Sequence, residues 1–196
     1  MSVRPVLSIG NPTLRVRADP VPVDDIGSPA VQSLIDDLID TMHHANGAGI
    51  AAPQIGEGVR IAVMEVTHNP RYPYKPPIPL TVLINPEVTL LDDEQWLNNE
   101  GCLSVPLRGD LPRFMNIEVK AIDRHGEPFT QIYRGLSAGT VQHEVDHLNG
   151  TLIVDRMEDS RSMTTWDNFA TNGMEEYLDR IAPVIAGTEP KVEADG

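Results

Sequence analysis

Leu136-Ser137-Ala138-Gly139-Thr140-Val141-Gln142-His143-Glu144-Val145-Asp146-His147-Leu148-Asn149 reads as one helix, 136–149, closed by Gly150. His143 and His147 are four residues apart, so both imidazoles leave the same helical face. Glu144 stands beside the first, which completes the H-E-x-x-H arrangement of two metal ligands and a general base. The plainer alternative is a pair of surface histidines on a polar helix. A catalytic metal needs a third protein ligand and an open position. No His or Cys follows His147, so a third ligand on that side would be an acid such as Glu158. Upstream, Cys102 lies in Glu100-Gly101-Cys102-Leu103-Ser104. A lone cysteine is commonly an inert buried hydrophobe. Beside two histidines in a reducing compartment, its thiolate would instead soften a site toward iron or zinc. Asp146 is expected to orient a histidine or cap neighbours rather than bind metal.

Outward from this string, residues 28–46 form the best helix of the first half, with Ser28 as cap and Pro29 at the first helical position. The string Gly47-Ala48-Gly49-Ile50-Ala51-Ala52-Pro53-Gln54 follows. It is too rich in small residues for helix, and it permits another backbone to approach closely. Residues 58–66 read as a strand, and 67–79 as a proline-rich surface loop. Residues 80–91 read as a strand pair broken at Asn85-Pro86. Strands 115–123 and 127–133 form a hairpin through Arg124-His125-Gly126. A strand at 151–154, a helix within 162–182 and a flexible acidic tail, 186–196, complete the chain. Strands and helices do not alternate, which indicates an α+β fold with mostly antiparallel sheet in one domain, 1–185.

Composition narrows the function. Among 196 residues there are 29 acidic and 15 basic side chains, a net charge of −14. Such a chain has no electrostatic reason to bind nucleic acid or an anionic membrane. One cysteine excludes an intramolecular disulfide. No apolar run approaches the length of a membrane span, and the first residues carry no secretory h-region or evident transit peptide. The expected compartment is the cytoplasm.

Taken together, GAGIAAPQ, EGCLS and QHEVDH, in this order, resemble the motifs of the peptide deformylases, and Gly10-Asn11-Pro12-Thr13-Leu14-Arg15 resembles the family's early stretch. The likeness runs from about residue 5 to about 170. It implies antiparallel sheets wrapped around a central helix that carries H-E-x-x-H, with an N-terminal and a C-terminal helix. It implies Cys102, His143 and His147 as ligands of one divalent metal, with Fe2+ first and Zn2+, Ni2+ or Co2+ able to occupy the site. It implies removal of the formyl group from N-formylmethionine at the start of new polypeptides, with release of formate. Water activated by the metal attacks, and Glu144 serves as general base and acid. Gln54 and the backbone N–H of Leu103 match the oxyanion donors, and Gly49 matches a backbone contact to substrate. Ile50 and Leu136 are candidate walls of an apolar methionine pocket, and Arg108 is a candidate substrate contact. Glu100 and Arg113 are expected to pair beside the metal loop. Loop 67–79 looks like an insertion, and Gly139-Thr140 stands where many relatives carry bulkier residues. The C-terminal stretch is acidic, so any ribosome contact through it is doubtful and would be transient. The competing readings are an H-E-x-x-H endopeptidase, which would not need Cys102, and a decayed binding module, which should have lost a ligand, Gln54 or Glu144.

Overall fold

The computed structural model describes residues 2–67 and 73–186. Ser28 caps the first helix, α1 (Pro29–His44), by accepting from the Val31 N–H, and Pro29 opens it. Its apolar stripe, including Ile35, Leu38 and Met42, is buried against the sheet together with Ile50, Ile61 and Val63.

Among the described residues seven strands follow: β1 (Gly49–Ala51), β2 (Ile61–Val66), β3 (Ile78–Leu90), β4 (Gln95–Cys102), β5 (Val105–Phe114), β6 (Asn116–Ile122) and β7 (Pro128–Arg134). Five form one antiparallel sheet in the order β1-β2-β3-β6-β7, and β4-β5 form a separate antiparallel hairpin. The helix read from the opening string is α2 (Gly135–Leu148). It packs on β1, β2, β5 and β7 and buries every residue except Ser137, Gln142 and His143. The α+β architecture with antiparallel sheets is therefore as expected, and the H-E-x-x-H helix lies between sheet and hairpin.

Local readings depart in four places. Residues 80–91 are not a broken pair, because β3 continues through Asn85-Pro86. A register shift between Ile84 and Glu87, with Asn85 at φ 51°, absorbs the proline. The Asn85 side chain is then held by the backbone N–H and carbonyl of Val21, at 2.9 and 2.8 Å. Residues 151–154 are not a strand. Asp155 accepts from the Leu152 N–H at 2.7 Å and nucleates a helical turn, α3 (Ile153–Arg156). The β4-β5 hairpin has no clear strand pattern in the sequence, which is polar and carries Pro106 and Pro112. The C-terminal helix comes in three joined pieces: α4 (Trp166–Asn168), a π-helical stretch (Phe169–Gly173) and α5 (Met174–Ala186). The expected acidic tail, apart from Ala186, lies outside the described residues. Among the described residues no helix is long and apolar enough to cross a membrane.

Leu38 is fully enclosed between α1 and the sheet. Leu38→Ala is expected to destabilise the fold by about 2–5 kcal/mol, read as a lower urea midpoint at unchanged slope.

Candidate metal centre

Two elements bring three side chains to one point. Helix α2 presents His143 and His147 one turn apart, and the last residue of β4 presents Cys102. Cys102 Sγ lies 3.3 Å from His147 Nε2, which lies 3.3 Å from His143 Nε2. The three donor atoms all fall within 4.8 Å of one another. A tetrahedral metal with ordinary bond lengths would place such nitrogens ~3.4 Å apart and nitrogen and sulfur ~3.6 Å apart. The set therefore fits one thiolate- and imidazole-bound divalent ion. Glu158, the alternative third ligand, is exposed and outside the cluster.

A buried charge network orients the ligands. His143 Nδ1 donates to Glu100 Oε2 at 2.9 Å, which leaves Nε2 for the metal side. Glu100 also accepts two hydrogen bonds from Arg113, at 2.8 Å each. Arg113 donates onward to Asp146 at 2.6 Å, and Arg156 binds the same carboxylate. Arg113 is only 2% exposed, so the expected Glu100–Arg113 pair is present and the surface alternative for Arg113 is not. Burial works to raise the Glu100 pKa, but the adjacent Arg113 charge overrides it and holds the carboxyl well below its usual range. Burial lowers His147 well below the usual imidazole value, assisted by the nearby His143 and Arg113 charges, which suits a neutral ligand. His143 moves the other way, because Cys102 and Glu100 outweigh its burial.

Glu144 lies beside this set, 4% exposed, with Oε2 accepting no hydrogen bond among the described residues. It is packed so tightly on Gly49 that a Cβ there would overlap its carboxylate. The close approach that the glycine string permits is thus filled by the Glu144 side chain. Burial raises the Glu144 pKa to about 7, the range where a carboxyl can both take and return a proton near neutral pH. Gln54 is locked by its own backbone turn: Oε1 accepts from the Ala51 N–H at 2.8 Å, and Nε2 donates to Ser104 Oγ at 3.1 Å, 3.8 Å from Cys102 Sγ. Gly49, Gln54, Leu103, His143 and Glu144 line a common cavity of about 40 Å³.

Three expected substrate contacts do not line it. Ile50 faces the α1 core, and Leu136 packs with Phe169 and Tyr177. Arg108 is 1% exposed, bonded to Asn99 and stacked between the rings of Trp166 and Phe169, 4.4 and 3.6 Å from their centroids. An apolar residue or an arginine near a motif is satisfied equally well by core, and here the core took all three. The cavity wall is instead polar, with Lys75, Asn98, Asn99 and Thr140. Lys75 and Tyr74 belong to the segment read as a surface loop. Lys75 is half-buried by area, but its ammonium end points inward and donates to Thr140 Oγ1 at 2.9 Å. No local signal marks it; only its proline neighbours stand out.

Burial lowers the Lys75 pKa to about 8. The folded state therefore resists protonation more than the unfolded chain does, and the ammonium costs stability below about pH 8. That cost is relieved as pH rises toward the unfolded lysine value. Lys75→Met is expected to melt higher than the parent at pH 7 and to lose that advantage toward pH 10 in thermal scans.

A sequence model for a family described as polypeptide deformylase matches residues 3–163. Peptide deformylase 1 of Nitrosomonas europaea is 42% identical over 160 residues, covering 81% of this chain and 90% of that protein. Peptide deformylase 1 of Prochlorococcus marinus is 42% identical over 180 residues, covering 91% and 93%. The Met-Ala-Ser-bound crystal structure of a class I type b peptide deformylase from Acinetobacter baumannii aligns with TM-score 0.77 at 40% identity, covering 80% of this chain and 99% of that one.

Proposed function

The chain belongs to the polypeptide deformylase family and is a hydrolase that removes the formyl group from the N-terminal methionine of new polypeptides; we propose that Cys102, His143 and His147 hold its metal and that Glu144 moves the proton. The observation that carries the assignment is the meeting of these three donor atoms beside a buried carboxyl at the wall of one small cavity.

The family is metal-dependent, and a thiolate with two imidazoles suits iron and zinc alike; Fe2+ is proposed as the working ion on the family resemblance, with Zn2+, Ni2+ or Co2+ able to occupy the site. When bound, such an ion acts as a Lewis acid and lowers the pKa of water toward neutrality. Glu144 takes a proton from the attacking water and delivers it to the amine that leaves as the C–N bond breaks. As charge grows on the formyl oxygen, Gln54 Nε2 and the Leu103 N–H donate to it. Gln54 needs little reorganisation for this, because the Ala51 N–H already holds the other end of its amide. Formate and a free amino terminus result.

The peptide is positioned by backbone. Among the described residues β1 is the edge strand of its sheet, paired only with β2, so the main chain at Gly49 offers hydrogen bonds to an extended substrate. Glycine there serves two ends, since any side chain would displace Glu144. We take residues 1–185 as one catalytic unit acting in the cytoplasm on nascent chains. The outer surface of α5 carries exposed Glu175, Glu176 and Asp179, which argues against docking on ribosomal RNA through that helix.

Formate release from a formyl-Met peptide, measured with protein prepared without oxygen and loaded separately with iron and zinc, tests the assignment. Glu144→Ala is expected to keep fold and metal while turnover falls by orders of magnitude; retained activity would remove Glu144 from the mechanism. Cys102→Ala is expected to bind well under one metal per chain by elemental analysis. Cleavage of unformylated internal peptide bonds in place of formate release would favour an endopeptidase.

A further inference from the structure

The C-terminal helix lies beyond the family-matched residues, which end at 163, yet it reaches the metal ligands through one hydroxyl. Tyr177 of α5 is 2% exposed, with its ring edge-on to Phe169 and Tyr74 at 5.6 and 5.3 Å between centroids. Its Oη donates to Asn98 Oδ1 at 2.7 Å. Asn98 Nδ2 donates to Glu100 Oε1 at 2.9 Å, and Glu100 Oε2 accepts from His143 Nδ1 at 2.9 Å.

Two features make this more than a satisfied core hydroxyl. First, the chemistry permits one polarity. A carboxylate only accepts, so the Asn98 amide must turn its nitrogen toward Glu100 and its oxygen toward a donor, which Tyr177 supplies. Second, Glu100 is saturated. Its four acceptor positions take Asn98 Nδ2, Arg113 Nε, Arg113 Nη2 and His143 Nδ1. Without the Tyr177 hydroxyl the Asn98 amide is no longer fixed, and the carboxylate, still held by Arg113, can tilt against the imidazole it orients.

We propose that Tyr177 is a positioning residue for the metal centre, acting through Asn98 and Glu100 on the orientation of His143. The helix that follows residue 163 thereby sets how tightly the ligands hold their ion. The inference rests on the reading that Cys102, His143 and His147 are those ligands.

The test measures Zn2+ affinity by chelator competition, and the visible spectrum after Co2+ substitution, on the full chain. Tyr177→Phe keeps the ring and removes only the hydroxyl. It is expected to weaken Zn2+ binding about tenfold and to shift the Co2+ ligand-field bands, while KM for a formyl-Met peptide stays unchanged. Asn98→Ala breaks the same link from its other end and should weaken Zn2+ comparably. Ile181→Val, one turn further along α5 and fully buried, loosens the helix without touching the relay and should leave affinity and spectrum native. The proposal is overturned if Tyr177→Phe binds Zn2+ like the parent with a superimposable Co2+ spectrum, or if Ile181→Val produces the same loss. Cys102→Ala separates the two layers. If it leaves the Co2+ spectrum unchanged, the ligand assignment falls and the proposal with it. If it abolishes the thiolate band while Tyr177→Phe is silent, only the relay falls.

Discussion

The arrangement depends on Arg113. This guanidinium from β5 is enclosed between two carboxylates, Glu100 of β4 and Asp146 of α2. Burying three charges is expensive, and an apolar replacement of such a group is often no less stable. What the group does here is geometric. It clamps the hairpin to the central helix, and the hairpin carries Cys102 while the helix carries both histidines. Its hydrogen bonds also hold Glu100 where His143 needs an acceptor. Without that clamp the three donor atoms belong to two elements with no reason to meet.

Close approach is the second constraint. Gly49 leaves room for the Glu144 carboxyl, and Gly101 leaves room for the Trp166 ring, which a Cβ would overlap. The first contact removes Glu144 from water and moves its pKa toward neutrality. The second seats the C-terminal segment against the strand that ends in Cys102. Arg108, stacked between Trp166 and Phe169, continues that seal. The back of the metal site is thus built from residues on both sides of the family-matched boundary.

The loop that carries Lys75 shows how a surface reading can be half right. Pro73, Pro76 and Pro77 lie outside any helix or strand, while Ile78 and Pro79 already belong to β3. Yet Tyr74 meets Tyr177 edge-on, and the lysine enters the cavity to reach Thr140. Thr140 on α2 receives the Lys75 ammonium, while Asn98 and Trp96 close over Gly139, so the pocket wall is polar where the resemblance implies an apolar one. Ile50, Leu136 and Arg108, named as walls or contacts from their nearness to motifs, belong to the core instead. Proximity in sequence to a catalytic string says little about which way a side chain faces.

The chain alone determined what depends on short range. The i, i+4 spacing of His143 and His147, the cap of α1 and the hairpin of β6 and β7 all follow from helical or strand periodicity and turn chemistry. The order of three motifs carried the family and, with it, the reaction. Only the tertiary structure decided what depends on long-range packing. It brought Cys102 next to His147 across 45 residues, continued β3 through a proline by a bulge, and turned Lys75 inward. It also joined Tyr177 to Glu100 through Asn98. None of these has a periodic or compositional signature, because each is set by which buried polar group finds its partner once the elements have packed.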